Sequence, residues 1–438
     1  MMPSCQGIEL WRRAKKVIPG GNQLLSKRPE MFLPDYWPSY FKKAKGVQVW
    51  DLDNVQYTDM SLMGVGCCVL GYANQAVNRA VRQAIKLGNM STLNCYEEVV
   101  LAEKLIDLHS WADSVRFART GGEACALAIR IGRAFSGRDK VAFCGYHGWN
   151  DWYLAANLED PENLREQLLP GLEPIGVPKA LKGTSIPFYY GKIRSLEDIL
   201  KKNEDIGVIM MEVQRTKDID LEFLRAVQKI ARRIGAVLIY DEVTSGFRLR
   251  TGGMHVLYDL QPDIVVLGKA LGNGYPIAAV IGKKDIMEAA QRTFISSTYW
   301  TERVGFAAAL AVIDQFENHQ VVDRIQVRGE QIRSGLKKIF SSHGLKIEIG
   351  GLTCVPTILI QESSPLLVKT IFTQEMLKKG FLASTVIFVS DAHTPQIITR
   401  YLETANGVFG KIAACLKSGS LERILEGPVC HSGFMRLN

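Results

Sequence analysis

The 438-residue chain has no Gly-x-x-x-x-Gly-Lys-[Ser/Thr] loop and no convincing Gly-x-Gly-x-x-Gly turn after a first strand. These absences argue against a nucleoside triphosphatase and against a dinucleotide enzyme. No apolar stretch reaches the length of a membrane span. The first residues lack the basic-then-apolar order of a secretory leader, and a cytoplasmic location is expected. Nine cysteines are an odd number, and none is spaced Cys-x-x-Cys. Reduced thiols fit that pattern better than a disulfide framework, and no metal site is expected. There is no basic run either. Lys and Arg number 53 against 45 Asp and Glu, a formal net charge of +8. Nucleic-acid binding is not expected from so dispersed a charge, though anionic substrates gain a mild attraction. No internal repeat or low-complexity tract is evident.

Hydrophobic residues make up 47% of the chain, enough for large cores. At this length two lobes are expected. Residues 61–310 alternate apolar runs with helical stretches, the pattern of a mainly parallel sheet flanked by helices. Residues 1–60 form an N-terminal segment expected to join a second, smaller α+β domain built from residues 311–438. Ala307, Ala308, Val312 and Phe316 recur at helical intervals and predict a bridging helix over Val304–Phe316. Residues 155–190 are rich in Pro, Gly and polar side chains and read as a mobile loop at a site mouth. The tail after Ser418 has no evident assignment.

One lysine stands out. The run from Asp263 to Leu267 is apolar after its first residue, and Lys269 follows at once in a glycine-rich turn. A lysine at the end of a buried strand is desolvated, which favours a neutral, nucleophilic amine. A lysine that merely reaches solvent is an equal reading of this segment alone. A second apolar run, Ala236 to Tyr240, ends in Asp241 and Glu242. The 28 residues from Asp241 to Lys269 suffice for a crossover to a neighbouring parallel strand. Both residues then lie at strand carboxyl ends, where open α/β sheets bind ligands. A pyridine-aldehyde cofactor needs such a pair: a lysine for the imine and an acid beside the ring nitrogen. Upstream, the strand Ser114–Ala118 leads through Gly121 and Gly122 into a helix marked by Ala124, Leu127, Ala128 and Ile131. Open N–H groups at that helix start suit a phosphate.

Further blocks join these: Ala14 to Gly21, Lys43 to Asp53, Thr120 to Ala124, Gly145 to Gly148, Tyr240 to Arg248 and Leu267 to Pro276. In their order and spacing they resemble the class-III aminotransferases, fold-type-I pyridoxal-phosphate enzymes, nearest the glutamate-1-semialdehyde aminomutase branch. The resemblance runs to about Ala414. It implies pyridoxal 5′-phosphate as cofactor, with Lys269 as the Schiff-base lysine and proton shuttle and Asp241 as the acid at the ring nitrogen. It implies that Gly121 and Gly122 cradle the phosphate, that Tyr146 stacks on the ring, and that Val243 closes the opposite face. Thr298 matches a threonine that reaches the phosphate across a dimer interface, so a homodimer with shared sites is expected. The partners implied are a small amino donor and a carbonyl acceptor.

Around the substrate the chain departs from the aminomutases. In the stretch Asn22 to Arg28 the arginine is out of register by one; Val65 stands near a tryptophan's place; Tyr299 to Arg303 replaces a Ser-Gly-Asn-Pro block. These changes point away from glutamate semialdehyde as substrate. An aminotransferase is therefore expected, with an intramolecular aminomutase as the alternative and a non-catalytic module on the same fold as a third. His147, Glu242 and Glu212 read as proton relays, substrate contacts or turn-holding groups, and Arg248 as a carboxylate partner or a surface ion pair.

Overall fold

The computed structural model describes residues 5–214, 218–435 and 437. The leader expectation rests partly on residues 1–4, which lie outside them. The strands in chain order are β1 (Phe41–Lys45), β2 (Gln48–Asp51), β3 (Gln56–Met60), β4 (Ser114–Ala118), β5 (Lys140–Cys144), β6 (Ser185–Pro187), β7 (Ile206–Glu212), β8 (Val237–Asp241), β9 (Ile264–Leu267), β10 (Ala278–Gly282), β11 (Ile347–Gly350), β12 (Thr357–Ile360) and β13 (Phe381–Ala383). The helices are α1 (Cys5–Val17), α2 (Gln75–Leu87), α3 (Tyr96–Leu108), α4 (Gly121–Ser136), α5 (Asp151–Leu154), α6 (Ile193–Lys202), α7 (Leu221–Ile234), α8 (Lys284–Met287), α9 (Arg303–Asn318), α10 (Val321–His343), α11 (Pro365–Lys378) and α12 (Pro395–Ser418). Among the described residues no helix is long and apolar enough to cross a membrane.

The chain divides into two compact units, Gln75–Val322 and the pair Met1–Asn74 with Asp323–Asn438. The first unit holds a seven-stranded sheet in the order β4-β10-β9-β8-β7-β5-β6. Strand β10 runs antiparallel to β4 and β9, and the other pairs are parallel. Every residue of β7, β8 and β9 is buried. Parallel strands covered on both faces read as unbroken apolar runs, which is why these segments show no alternation. Helix α4 packs on β7, β9 and β10, with Ala124, Leu127, Ala128 and Ile131 facing the sheet. Its start is fixed by a capping box between Thr120 and Glu123, a device typically worth about 1 kcal/mol. It stops at Gly137, whose φ of +67° suits a left-handed cap.

The other unit has a four-stranded sheet, β1-β2-β3-β13, with β13 parallel to β3, and a hairpin of β11 and β12. Helices α11 and α12 pack together through the stacked rings of Phe372 and Phe409. The unassigned tail docks on α11. Gln374 bonds to Ile424 O and Glu426 N, and Cys430 N donates to the Thr370 hydroxyl.

Three expectations are corrected here. The unit boundaries fall at 74/75 and 322/323 rather than 60/61 and 310/311. Residues 61–74 belong with the smaller unit because Phe388 N and Asp391 N donate to Ser61 O and Val69 O, and Gly46 bridges to Tyr72. The helix predicted over Val304–Phe316 is α9, and it packs on α2 and α3 of its own unit. Residues 155–190 are anchored rather than free. Leu164 is part of the large core, and the buried Gln167 accepts from Gly145 N and donates to Phe188 O.

Candidate active site

Strands β8 and β9 end side by side, with Asp241 opposite Val266 in the parallel register. Lys269 begins the turn three residues beyond Val266. The connection between them is a loop with a short 3-10 turn at Met254–Tyr258, not a helix. Lys269 has φ +41°, a conformation that strains any residue with a side chain. Its Nζ donates to the Thr244 hydroxyl at 2.7 Å. Gly268, immediately before it, lies against Val243; a Cβ there would sit 3.4 Å from Val243 Cγ1, an ordinary contact.

Asp241 is 4% exposed and fully engaged. Oδ1 accepts from Val243 N at 2.9 Å, while Oδ2 faces His147 Nδ1 at 2.8 Å and the Cys125 thiol at 3.3 Å. The other nitrogen of His147 faces Cys144 O at 3.1 Å. Burial, and then the Asp241 charge, push the Cys125 thiol well up, so it is a donor and not a thiolate. Cys125, His147 and Asp241 bring three potential metal-ligand atoms within 4.8 Å of one another, although no metal was expected from sequence.

At the start of α4 the capping box consumes the N–H groups of Thr120 and Glu123. The N–H groups of Gly121 and Gly122 have no acceptor among the described residues. The backbone here is tightly approached. A Cβ on Gly121 would meet Val243 Cγ1 at 3.0 Å, and one on Gly148 would meet Gly122 Cα at 2.7 Å. Gly148 also has φ +107°. Asn150 Oδ1 is buried without a partner beside Gly122. Open donors at a helix N-terminus and a glycine-lined hollow fit a bound phosphate. Tyr146 packs edge-on against Tyr153, and its N–H donates to Glu212. Glu212 pairs with Asp241 in the β7–β8 register.

The structure thus gathers Gly121, Gly122, Asp241, Val243 and Lys269 around the strand ends, with Tyr146 in the adjoining turn after β5. Thr298 is exposed at the start of a 3-10 turn, and its hydroxyl has no partner among the described residues. Arg119 holds that turn through the Trp300 and Glu302 carbonyls. Arg248 is 1% exposed, which overturns the surface ion pair; its Nε donates to Thr244 O. Glu242 is a structural node. Burial raises its carboxyl, but His255 and the N–H groups of His255 and Met254 outweigh that and hold it below the usual range. Sequence reasoning did not single out Cys125, Thr244 or Asn150. Only Asn150 carried a local signal, as a helix N-cap, and it makes no cap bond.

Residues 34–385 match the family model of the class-III aminotransferases. The chain is 30% identical over 378 residues to the 3-aminobutyryl-CoA aminotransferase of Cloacimonas acidaminovorans, covering 84% of this chain and 87% of that protein. The chain belongs to the class-III aminotransferases. It is therefore a pyridoxal-phosphate enzyme that moves an amino group between an amino donor and a carbonyl acceptor. It is also 32% identical over 349 residues to the glutamate-1-semialdehyde 2,1-aminomutase of Methanobrevibacter smithii, across 77% and 79% of the two chains. Among solved structures, the PLP internal aldimine form of FumI from Sphingopyxis sp. MTA144 superposes with a TM-score of 0.85 at 26% identity, over 95% of this chain and 98% of that one. The fold-type-I architecture expected from sequence is thereby borne out.

Proposed function

We propose that Lys269 and Asp241 carry the amino transfer, in a cytoplasmic homodimer whose two chains share each site. Pyridoxal phosphate, when bound, supplies the carbonyl that takes up the amino group and a ring that accepts electrons. The single observation behind the reading is the convergence of two strand ends, one bearing an acid and one a lysine, on the open N–H groups of α4.

Each residue then has a task. Gly121 and Gly122 bind the phosphate through their N–H groups, helped by the positive end of the α4 dipole. Asp241 keeps the ring nitrogen protonated, and His147 with Cys125 and Val243 N hold its carboxylate in one orientation. Tyr146 and Val243 would cover the two faces of the ring. Lys269 would hold the cofactor through its Nζ, and its amine would move the proton at the substrate carbon. Thr244 gives the free Lys269 amine a resting partner.

Thr298 serves the partner chain's phosphate in this reading. Ile85, Leu93, Tyr96, Val99, Phe294 and Tyr299 are exposed in the same unit, apolar side chains that a partner chain could cover. The free thiols support a reducing compartment. Borohydride reduction followed by peptide mapping tests the centre. A cofactor adduct on Lys269 is expected, and an adduct on any other lysine overturns the assignment. Consumption of an external amino donor in proportion to product separates intermolecular transfer from an intramolecular aminomutase.

A further inference from the structure

The outer side of helix α4 carries two arginines that the cofactor site does not use. A groove of about 410 Å³ runs between its outer side and the turn after β5. That volume falls in the range of small-molecule sites. Arg130 and Arg133 line it from the helix, and Trp149, Asn150, Asp151 and Trp152 line it from the turn.

The two arginines are steered from behind. Arg130 Nη1 donates to Phe294 O, and Arg133 Nε donates to Asp139 O. Neither guanidinium has a carboxylate within ion-pair distance among the described residues. Arginines held this way present their remaining N–H groups as a fork for an anion. Beside them Trp149 is 72% exposed, an unusual position for so large an aromatic. Trp152 is almost wholly buried, and its indole N–H has no partner. Asp151 at the rim and Asp139 behind Arg133 are acidic. They moderate the positive charge, and Asp151 can accept from a hydroxyl or amino group.

We propose that this groove binds a phosphorylated ligand bearing a planar heterocycle, of the nucleotide class, with its phosphates on Arg130 and Arg133 and its ring on Trp149. Inorganic phosphate would use the arginines alone and leave the indole idle. A flat ring uses both, because base–aromatic stacking tolerates any π-face. The ligand is held as a handle here, which accords with the absence of a phosphate loop for nucleotide chemistry. One end of the groove abuts the phosphate turn: a Cβ on Gly122 would lie 3.7 Å from Trp149 Cδ1. A ligand lying there can reach from the surface toward the cofactor.

The test is calorimetry on the cofactor-loaded protein, with ADP, adenosine and inorganic phosphate as separate titrants. ADP is expected to bind saturably and more tightly than either fragment. Arg130→Gln should weaken ADP about tenfold, the effect of losing one charge-assisted bond. Trp149→Ala should weaken ADP while leaving phosphate binding unchanged. Arg133→Gln is a supporting variant whose fold is checked by melting, since Arg133 also braces Asp139. The proposal is overturned if ADP fails to bind at millimolar concentration or binds no better than phosphate. It is equally overturned if ADP binds both Arg130→Gln and Trp149→Ala as it binds the unsubstituted protein, or if it acts by expelling the cofactor from the Gly121–Gly122 turn.

Discussion

Asp241→Asn separates the chemistry of the acid from its architecture. In the folded protein the carboxylate accepts from Val243 N, His147 Nδ1 and the Cys125 thiol. An asparagine is nearly isosteric and can keep its oxygen on Val243 N. Its amide nitrogen then faces His147 Nδ1, which can accept if the ring holds its proton on the nitrogen facing Cys144 O. Only the thiol loses its acceptor outright. The stability cost is therefore small, about 1–2 kcal/mol, and the variant should fold. Its chemistry should not survive so well. The proposed bond to the ring nitrogen changes from charge-assisted to neutral, a loss of roughly 1.5–3 kcal/mol, or about one to two powers of ten in rate. A ring that no longer stays protonated is a poorer electron sink, so the total loss should exceed about a hundredfold. The assay is single-turnover conversion of bound cofactor by a saturating amine donor, followed by visible absorbance, with occupancy and melting temperature measured on the same sample. Turnover within about threefold of the unsubstituted protein, at full occupancy, would remove Asp241 from its role.

Other substitutions probe other parts. Gly148→Ala, at φ +107° with its new Cβ 2.7 Å from Gly122 Cα, should displace the phosphate turn and weaken cofactor retention at least tenfold. Gly137→Ala, where no atom lies within 4 Å, should cost only about 1 kcal/mol of stability and leave retention intact; equal effects in an equilibrium-dialysis comparison would refute the close-approach argument. Thr298→Ala should lower cofactor affinity by about one to two powers of ten if its hydroxyl serves the partner's phosphate; a fully active, cofactor-loaded monomer by light scattering rules the shared site out. His109, fully buried, is held down to about 4 chiefly by burial, and its bonds to Leu105 O and Gly253 N suit the neutral ring. The unfolded chain takes up that proton as pH falls below 6.5 and the folded chain does not until about 4, so stability is lost across that window, by roughly 3 kcal/mol, and no further below it. Urea unfolding at pH 7.5 and 4.5 should show a smaller difference for His109→Gln; an unchanged difference refutes the assignment.

What was legible in sequence follows from what is local. Lys269 and Asp241 ended apolar runs that stand in adjacent strands, and a parallel sheet makes such runs easy to see. Gly121 and Gly122 sat between a strand and a helix of clear period. The partners of Asp241 were hidden because they are distant in the chain. His147 precedes it by 94 residues and Cys125 by 116, and neither spacing carries a signal. Thr244 needed the Lys269 turn to bring a hydroxyl to the amine. Arg248 looked like a surface charge because a sequence cannot show that the loop from Glu242 to His255 folds over itself on a buried carboxylate. The unit boundary at residue 74 was missed for a similar reason. Residues 61–74 have no period of their own and are tied by backbone bonds to a segment more than 300 residues later.

Helix α4 accounts for much of what joins these parts. Gly121 and Gly122 lie in its first turn, and Cys125 lies one turn further on, about 6 Å along the axis. One rigid element therefore presents open donors for a phosphate and, from its inner face, a thiol that bonds Asp241. The helix cannot shift along its axis without disturbing both ends of the proposed cofactor site. Its start is locked by the Thr120–Glu123 box, its inner face by packing on β7, β9 and β10, and its stop by Gly137. Arg119, just before the box, ties the same helix start to the turn bearing Thr298. A displacement at a partner chain's interface would thus reach the phosphate turn through one guanidinium. Cofactor retention should be more sensitive to Arg119 than its distance from the ring chemistry suggests.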